Sequence, residues 1–121
     1  MDKKILVVDD TKSYLFIISE TLRGAGFAVI TAENGEEGLV AVAEEKPDLI
    51  LLDITMPKMD GIEMSRKLKE SGTNVPIIFL TNMNDIKHIS EGLENANDYI
   101  IKADTSADDI VVKVKEKLHI A

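Results

Sequence analysis

The chain has 121 residues, a net charge of -8 and no cysteine. This length suits one domain with one core. The acidic net charge argues against a surface that binds nucleic acid or an anionic membrane. The lack of cysteine excludes disulfides and thiolate zinc sites. No apolar run approaches the ~20 residues of a membrane span, and the N-terminus lacks the organisation of a signal peptide. We therefore expect a cytoplasmic protein that does not insert into a membrane.

Short apolar runs alternate with segments of helical periodicity along the whole chain. The apolar runs lie at 5–8, 27–31, 49–53, 76–80 and 98–101. The helical segments lie at 12–25, from 34 towards 47, from 60 to 72, at 85–93 and at 105–118. Five such alternations predict an α/β protein in which a parallel sheet is covered by helices on both faces and joined by right-handed crossovers.

Capping patterns support several of these helix starts. Asn34 and Asp60 each have a glutamate three residues later, as in a capping box. Thr11 or Ser13 could cap the first helix, and either Thr105 or Ser106 could cap the last one. The second helix should bury Leu39, Val42 and Ala43, and the last helix should leave Val112 off its apolar stripe.

Polar side chains close the predicted strands. The closing residues are Asp9-Asp10, Thr31, Asp53, Thr81 and Lys102. Parallel strands share one carboxyl edge, where ligands collect in open α/β sheets, so the three carboxylates, the Thr81 hydroxyl and the Lys102 ammonium can converge there. Clustered carboxylates repel unless a cation joins them, and all-oxygen ligands favour Mg²⁺. These groups are the parts needed for a carboxylate to attack phosphorus and form an aspartyl phosphate.

Four motifs resemble the receiver domains of bacterial two-component response regulators, the CheY-like family, and the resemblance covers residues 1–121. They are Ile5-Leu6-Val7-Val8-Asp9-Asp10, Leu51-Leu52-Asp53-Ile54-Thr55-Met56-Pro57-Lys58-Met59-Asp60-Gly61, Phe79-Leu80-Thr81 and Asp98-Tyr99-Ile100-Ile101-Lys102. The resemblance implies a three-layer, doubly wound (βα)5 flavodoxin-like fold with strand order 2-1-3-4-5. It also implies a signalling domain that catalyses only its own phosphorylation and dephosphorylation.

The resemblance further implies a role for each site residue. Asp53 would be the phospho-acceptor, Lys102 would contact the phosphoryl group, and Thr81 with Tyr99 would form a switch pair. Mg²⁺ would be held by the residues Asp10, Asp53, Thr55 through its backbone carbonyl, and Asp9 through water.

The same resemblance implies the partners. A sensor histidine kinase or a phosphotransfer protein would supply the phosphoryl group. A downstream protein would bind the face made by the fourth helix, fifth strand and fifth helix, which includes Tyr99 and Val112. We expect no direct contact with nucleic acid and a monomer that can dimerise when phosphorylated.

Three positions depart from the family pattern. Asn82 stands where a small residue usually follows the switch threonine, and Thr55 occupies a variable position that helps set phosphorylation and dephosphorylation rates. Ala103 replaces the proline that usually follows the lysine. Because a cis bond costs about 2.5–4 kcal/mol before a non-proline residue, we predict a trans Lys102–Ala103 bond, with the chain rerouted around Ala103-Asp104.

Three alternative functions share parts of this pattern. A haloacid-dehalogenase-type phosphatase also uses an aspartate after a strand, but needs a second aspartate where Thr55 stands. A flavin-binding flavodoxin-like protein needs a Ser/Thr/Gly-rich phosphate loop, whereas Asp9-Asp10 would repel phosphate. A degenerate receiver that acts as an unphosphorylated scaffold is the strongest rival, and the intact set of acidic residues, threonine and lysine argues against it.

Overall fold

The computed structural model describes residues 3–82 and 98–120 of the chain. Their five strands form one parallel sheet of order β2-β1-β3-β4-β5. The strands are β1 (Lys4–Val8), β2 (Ala28–Ala32), β3 (Leu49–Asp53), β4 (Ile77–Thr81) and β5 (Asp98–Ile101). The predicted strand order and doubly wound α/β fold are therefore confirmed.

Helices connect the first four strands in turn, and another follows β5. They are α1 (Lys12–Gly24), α2 (Gly35–Glu45), α3 (Gly61–Glu70) and the C-terminal helix (Ala107–Lys117). The helix expected at 85–93 lies outside the described residues. Within the described parts of the chain, every helix is too short or too polar to cross a membrane.

Alternate residues of the central strands face two separate apolar clusters. On one face, Ile5, Val7 and Leu51 pack with α1 and the C-terminal helix. On the other face, Leu52 and Phe79 pack with α2 and α3. Complete burial of one such side chain stabilises a fold by about 1.5–3 kcal/mol, so the two clusters fix both the sheet and the helix layers on it.

Side-chain caps set three of the helix starts. The Asn34 and Asp60 side chains accept hydrogen bonds from the N–H groups of Glu37 and Glu63, at 2.9 and 2.8 Å. Ser106 accepts from the Asp109 N–H at 3.1 Å, which decides between the two candidate caps of the last helix. Thr11 takes the N-cap position of α1, but its side chain makes no capping hydrogen bond.

The buried face of α2 differs from the prediction at one residue. Val42 is buried and Leu39 packs on the core, but Ala43 is exposed. The reason is the close packing of Gly38, where a Cβ would meet the Met64 side chain of α3. This contact centres the buried face on Gly38 and Val42 and turns Ala43 towards solvent.

The connection after β5 follows the predicted route. The described residues contain no cis peptide bond, so the Lys102–Ala103 bond is trans, as predicted. A 3₁₀ turn over Lys102–Asp104 leads the chain to the cap at Ser106. Alanine at position 103 thus leaves the lysine at the end of β5 without requiring an unfavourable peptide isomer.

Gly61 packs directly against the end of β3. A Cβ at this position would overlap the carbonyl oxygen of Asp53 and crowd the backbone of Ile54. The Gly61 N–H also donates to the Ile54 carbonyl at 2.8 Å. The start of α3 can approach Asp53 this closely only because residue 61 lacks a side chain.

We predict that Gly61→Ala lowers the free energy of unfolding by about 1–3 kcal/mol, because a rigid backbone must move to admit the methyl group. Urea denaturation measures the change. Gly24→Ala is the matched control, since nothing lies within 4 Å of a Cβ there. Equal stability of the two variants would show that the β3–α3 contact is not tight.

Candidate functional site

The carboxyl ends of four strands bring the predicted site residues to one edge of the sheet. In the register, Val8 pairs with Leu52, so Asp9 and Asp53 follow at the same level. Thr81 pairs with Ile101 at the next pair of strand ends. One carboxylate oxygen from each of Asp9, Asp10 and Asp53 lies within 4.8 Å of the other two. The predicted convergence is therefore present in the structure.

Asp9 and Lys102 form the shortest ion pair of the site. The Lys102 Nζ lies 2.6 Å from Asp9 Oδ2 and 3.4 Å from Asp53 Oδ1. The other oxygen of the buried Asp9 carboxylate accepts a hydrogen bond from the Thr11 N–H at 2.9 Å. Lys102 reaches Asp53 as expected, but it lies closer to Asp9, and both Asp9 oxygens are already occupied.

Asp53 is a buried carboxylate with an incomplete set of partners. Its side chain is only 2% exposed, and among residues 3–82 and 98–120 no group donates a hydrogen bond to Oδ1. Burial, and then the negative charge of Asp9, raise the pKa of Asp53 to about 7, while Lys102 opposes the shift and Asp10 adds to it. The Oδ1 atom does lie 3.4 Å from the Lys102 ammonium, but burial beside two other carboxylates leaves the ionised form of Asp53 in an unfavourable environment.

This donor set fits a hard divalent cation. The three carboxylates supply only oxygen ligands. Asp10 is exposed, and the buried Asp53 has an oxygen that accepts no hydrogen bond within residues 3–82 and 98–120. Oxygen ligands of this kind suit Mg²⁺, which keeps several waters when bound to a few protein carboxylates. A cation there would also relieve the repulsion that raises the pKa of Asp53.

The structure places the remaining predicted residues on β4, on β5 and in the loops after β3 and β4. Thr81 is buried, and its hydroxyl donates to the Asn82 carbonyl at 2.9 Å. Thr55 and Asn82 lie exposed in the loops after β3 and β4. Tyr99 lies on β5 and is 40% exposed.

Sequence reasoning missed two residues of the site. The Tyr14 ring of α1 lies beneath the Lys102 ammonium, 4.6 Å from Nζ to the ring centroid. The available signal was its position in the first turn of α1, four residues after Asp10. Gly61 stands within the motif that resembles receiver domains, but its close contact with the end of β3 is not visible in a linear sequence.

Without divalent cations, Asp53→Asn should be more stable than the wild type, by an amount that grows with pH. The folded pKa of about 7 lies above the unfolded value of 3.8, so the folded wild type holds an extra proton between these values. Its stability therefore falls as pH rises from about 4 to about 7. Urea denaturation in chelator should show a difference of roughly 2–4 kcal/mol at neutral pH that shrinks towards pH 4.

Glu70→Gln is the matched control for this measurement. It removes one exposed carboxylate at the far end of α3, so its stability relative to the wild type should change little across the same pH range. If the stability difference between Asp53→Asn and the wild type did not change with pH, the raised pKa of Asp53 would be contradicted.

Curated relatives match over most of this chain. The alkaline phosphatase synthesis transcriptional regulatory protein PhoP of Bacillus subtilis is 45% identical over 103 residues, covering 84% of this chain and 43% of PhoP. The DNA-binding response regulator MtrA of Mycobacterium leprae is 40% identical over 119 residues, covering 98% of this chain and 52% of MtrA. The chain thus spans about half the length of these relatives. Because MtrA is named as DNA-binding, the expectation that this protein makes no direct contact with nucleic acid gains no support. The acidic net charge from which that expectation was drawn describes only these 121 residues.

A solved structure and a family model indicate the same family as these relatives. The structure of the chemotaxis protein CheY4 of Vibrio cholerae superposes with a TM-score of 0.87 at 28% identity, covering 96% of this chain and 98% of CheY4. The model of the family described as response regulator receiver domain matches residues 5–115. The sheet order, the acidic cluster and these matches together show that the chain belongs to the receiver domain family of two-component response regulators.

Proposed function

We propose that this domain accepts a phosphoryl group on Asp53 in a two-component phosphorelay. The observation that carries the proposal is the buried Asp53 carboxylate, which lies beside Lys102, Asp9 and Asp10 and whose Oδ1 accepts no hydrogen bond from the part of the chain that the structure describes. A structural carboxylate buried in this way would normally be fully hydrogen-bonded. A nucleophile, by contrast, needs an oxygen that is free to react.

The proposed step is an attack of an Asp53 oxygen on phosphorus. A new O–P bond forms the acyl phosphate, and the bond from phosphorus to the donor breaks, so the donor's nitrogen or oxygen leaves with the bonding electrons. Lys102 would hold the transferred oxygens through its ammonium. Asp10, Asp53 and the Thr55 carbonyl would hold Mg²⁺ directly, and Asp9 would hold it through water. When bound, Mg²⁺ would neutralise the charge that collects between carboxylate and phosphoryl group.

The proposed switch starts from the present hydrogen bond of Thr81. Its hydroxyl donates to the Asn82 carbonyl and would have to leave that acceptor to donate to a phosphoryl oxygen. The space behind it would then admit Tyr99. Asn82, at the position after the switch threonine, would partly screen the phosphoryl group from water or donor.

The proposed partners follow from the same assignment. A histidine kinase or phosphotransfer protein in the cytoplasm would supply the phosphoryl group. The output face would include Tyr99 and Val112, which are 40% and 52% exposed, while the helix expected at 85–93 lies outside the described residues. A protein partner on this face would bury Tyr99 of β5 and Val112 of the C-terminal helix, and the same face could join two phosphorylated copies.

Acetyl phosphate with Mg²⁺ should add one phosphoryl group to the wild type. Intact-mass measurement detects the addition, and Asp53→Asn should remove it because an amide is not a nucleophile here. Glu70→Gln should label like the wild type. Equal labelling of wild type and Asp53→Asn would refute Asp53 as the acceptor, and no labelling of the wild type would favour the unphosphorylated scaffold.

Asp10→Asn should weaken Mg²⁺ binding more than Asp9→Asn does. The reason is that Asp10 is exposed at the edge of the cluster, whereas both Asp9 oxygens are engaged by Lys102 and the Thr11 N–H. Loss of a direct ligand should lower the affinity by about 10-fold or more, the size of effect seen even for outer-shell partners. Titration followed by chemical shifts of site amides measures both constants, and the reverse order would overturn the two roles.

A further inference from the structure

The Tyr14 side chain makes one contact with the site that the functions above do not use. Its ring lies 4.6 Å from the Lys102 Nζ, within the range of a cation–π interaction. Its hydroxyl is buried and has no hydrogen-bond partner among the residues that the structure describes. The ring also packs against the apolar cluster between the sheet, α1 and the C-terminal helix, which limits its movement.

We propose that Tyr14 is a positioning residue, whose ring holds the Lys102 ammonium between Asp9 and Asp53. The inference rests on the proposed function, because it assigns to Tyr14 the placement of the lysine that would contact the phosphoryl group. Tyr14 contacts the Lys102 ammonium, so its proposed effect on phosphoryl transfer is exerted through the position of that lysine.

The need for such a residue follows from the geometry of the lysine. Its ammonium lies on a stem of four rotatable carbons and faces two carboxylates, with the Asp9 contact shorter by 0.8 Å, the difference between 2.6 and 3.4 Å. A third carboxylate could hold the ammonium, but it would also compete for a cation and add to the repulsion. An aromatic face attracts the ammonium without adding a charge, so it keeps Lys102 near Asp53 without disturbing the acidic cluster.

The ring, rather than the hydroxyl, is the active part of Tyr14. The hydroxyl lacks a partner within the described residues, and an unsatisfied buried hydroxyl destabilises a fold. Tyr14→Phe should therefore keep the position of Lys102 and raise the stability. Tyr14→Leu and Tyr14→Met should remove the interaction while keeping an apolar side chain in the core.

The position of Lys102 can be measured without any phosphorylation. With lysine labelled at Cε, the ring of Tyr14 should shift the Lys102 Hε signals upfield in the wild type and in Tyr14→Phe. The shift should disappear in Tyr14→Leu, or in Tyr14→Met if the leucine variant does not fold. Phe16→Leu is the control, because Phe16 lies on the same helix but is 67% exposed. An unchanged Lys102 signal in the folded leucine or methionine variant would overturn the proposal.

The second measurement is the rate of phosphorylation by acetyl phosphate at saturating Mg²⁺. Tyr14→Leu should lower the rate at saturating donor by about 2- to 30-fold. This range corresponds to the free energy of a cation–π interaction, from solvent-exposed pairs to desolvated ones. Tyr14→Phe and Phe16→Leu should match the wild type. If Tyr14→Phe is as slow as Tyr14→Leu, or if Tyr14→Leu is as fast as the wild type, the ring does not position the lysine. If the wild type itself is not labelled, the proposed function fails, while the Lys102 signals still report whether the ring holds the ammonium.

Discussion

Two buried carboxylates, those of Asp9 and Asp53, lie beside a single ammonium, that of Lys102. The exposed Asp10 adds a third negative charge within 4.8 Å. The negative charge therefore exceeds the positive charge in a place where solvent screens it weakly, and burial first and this excess second raise the pKa of Asp53. A cation would add positive charge beside the carboxylates, and a phosphoryl group would then bind next to that charge.

The three acidic residues share the work unequally because their surroundings differ. Asp9 is anchored from both sides, by the Thr11 N–H and by Lys102, so it keeps the lysine at the site. Asp10 is exposed at the rim of the cluster, where a cation from solvent can reach it. Asp53 is buried almost as completely as Asp9, at 2% against 0% exposed, and within the described residues its Oδ1 accepts no hydrogen bond. Differences in burial and in partners thus support three different proposed roles.

Close packing fixes the backbone around Asp53, whereas the negative charge of its side chain is not fully balanced. Gly61 lets the start of α3 pack against the Asp53 carbonyl, and the cap at Asp60 fixes that helix start. On the opposite side, the trans bond at Ala103 and the following 3₁₀ turn end β5 with Lys102 at the site. Tyr14 then limits the freedom of the lysine stem. Tight packing of this kind lets a strained carboxylate persist in a domain whose total stability is small.

The sequence by itself determined the alternation of elements, the parallel sheet and the placement of Asp9, Asp53, Thr81 and Lys102 at one edge of it, because short continuous apolar runs and the polar residues that close them are local patterns. Glutamates placed three residues after Asn34 and Asp60 likewise predicted the helix starts. Tertiary structure alone decided that Lys102 lies nearer to Asp9 than to Asp53, that Ala43 is exposed, and that Gly61 and Tyr14 contact the site. Those outcomes depend on distances between elements far apart in the chain, and such distances are set by how side chains of different size pack, which no local pattern records.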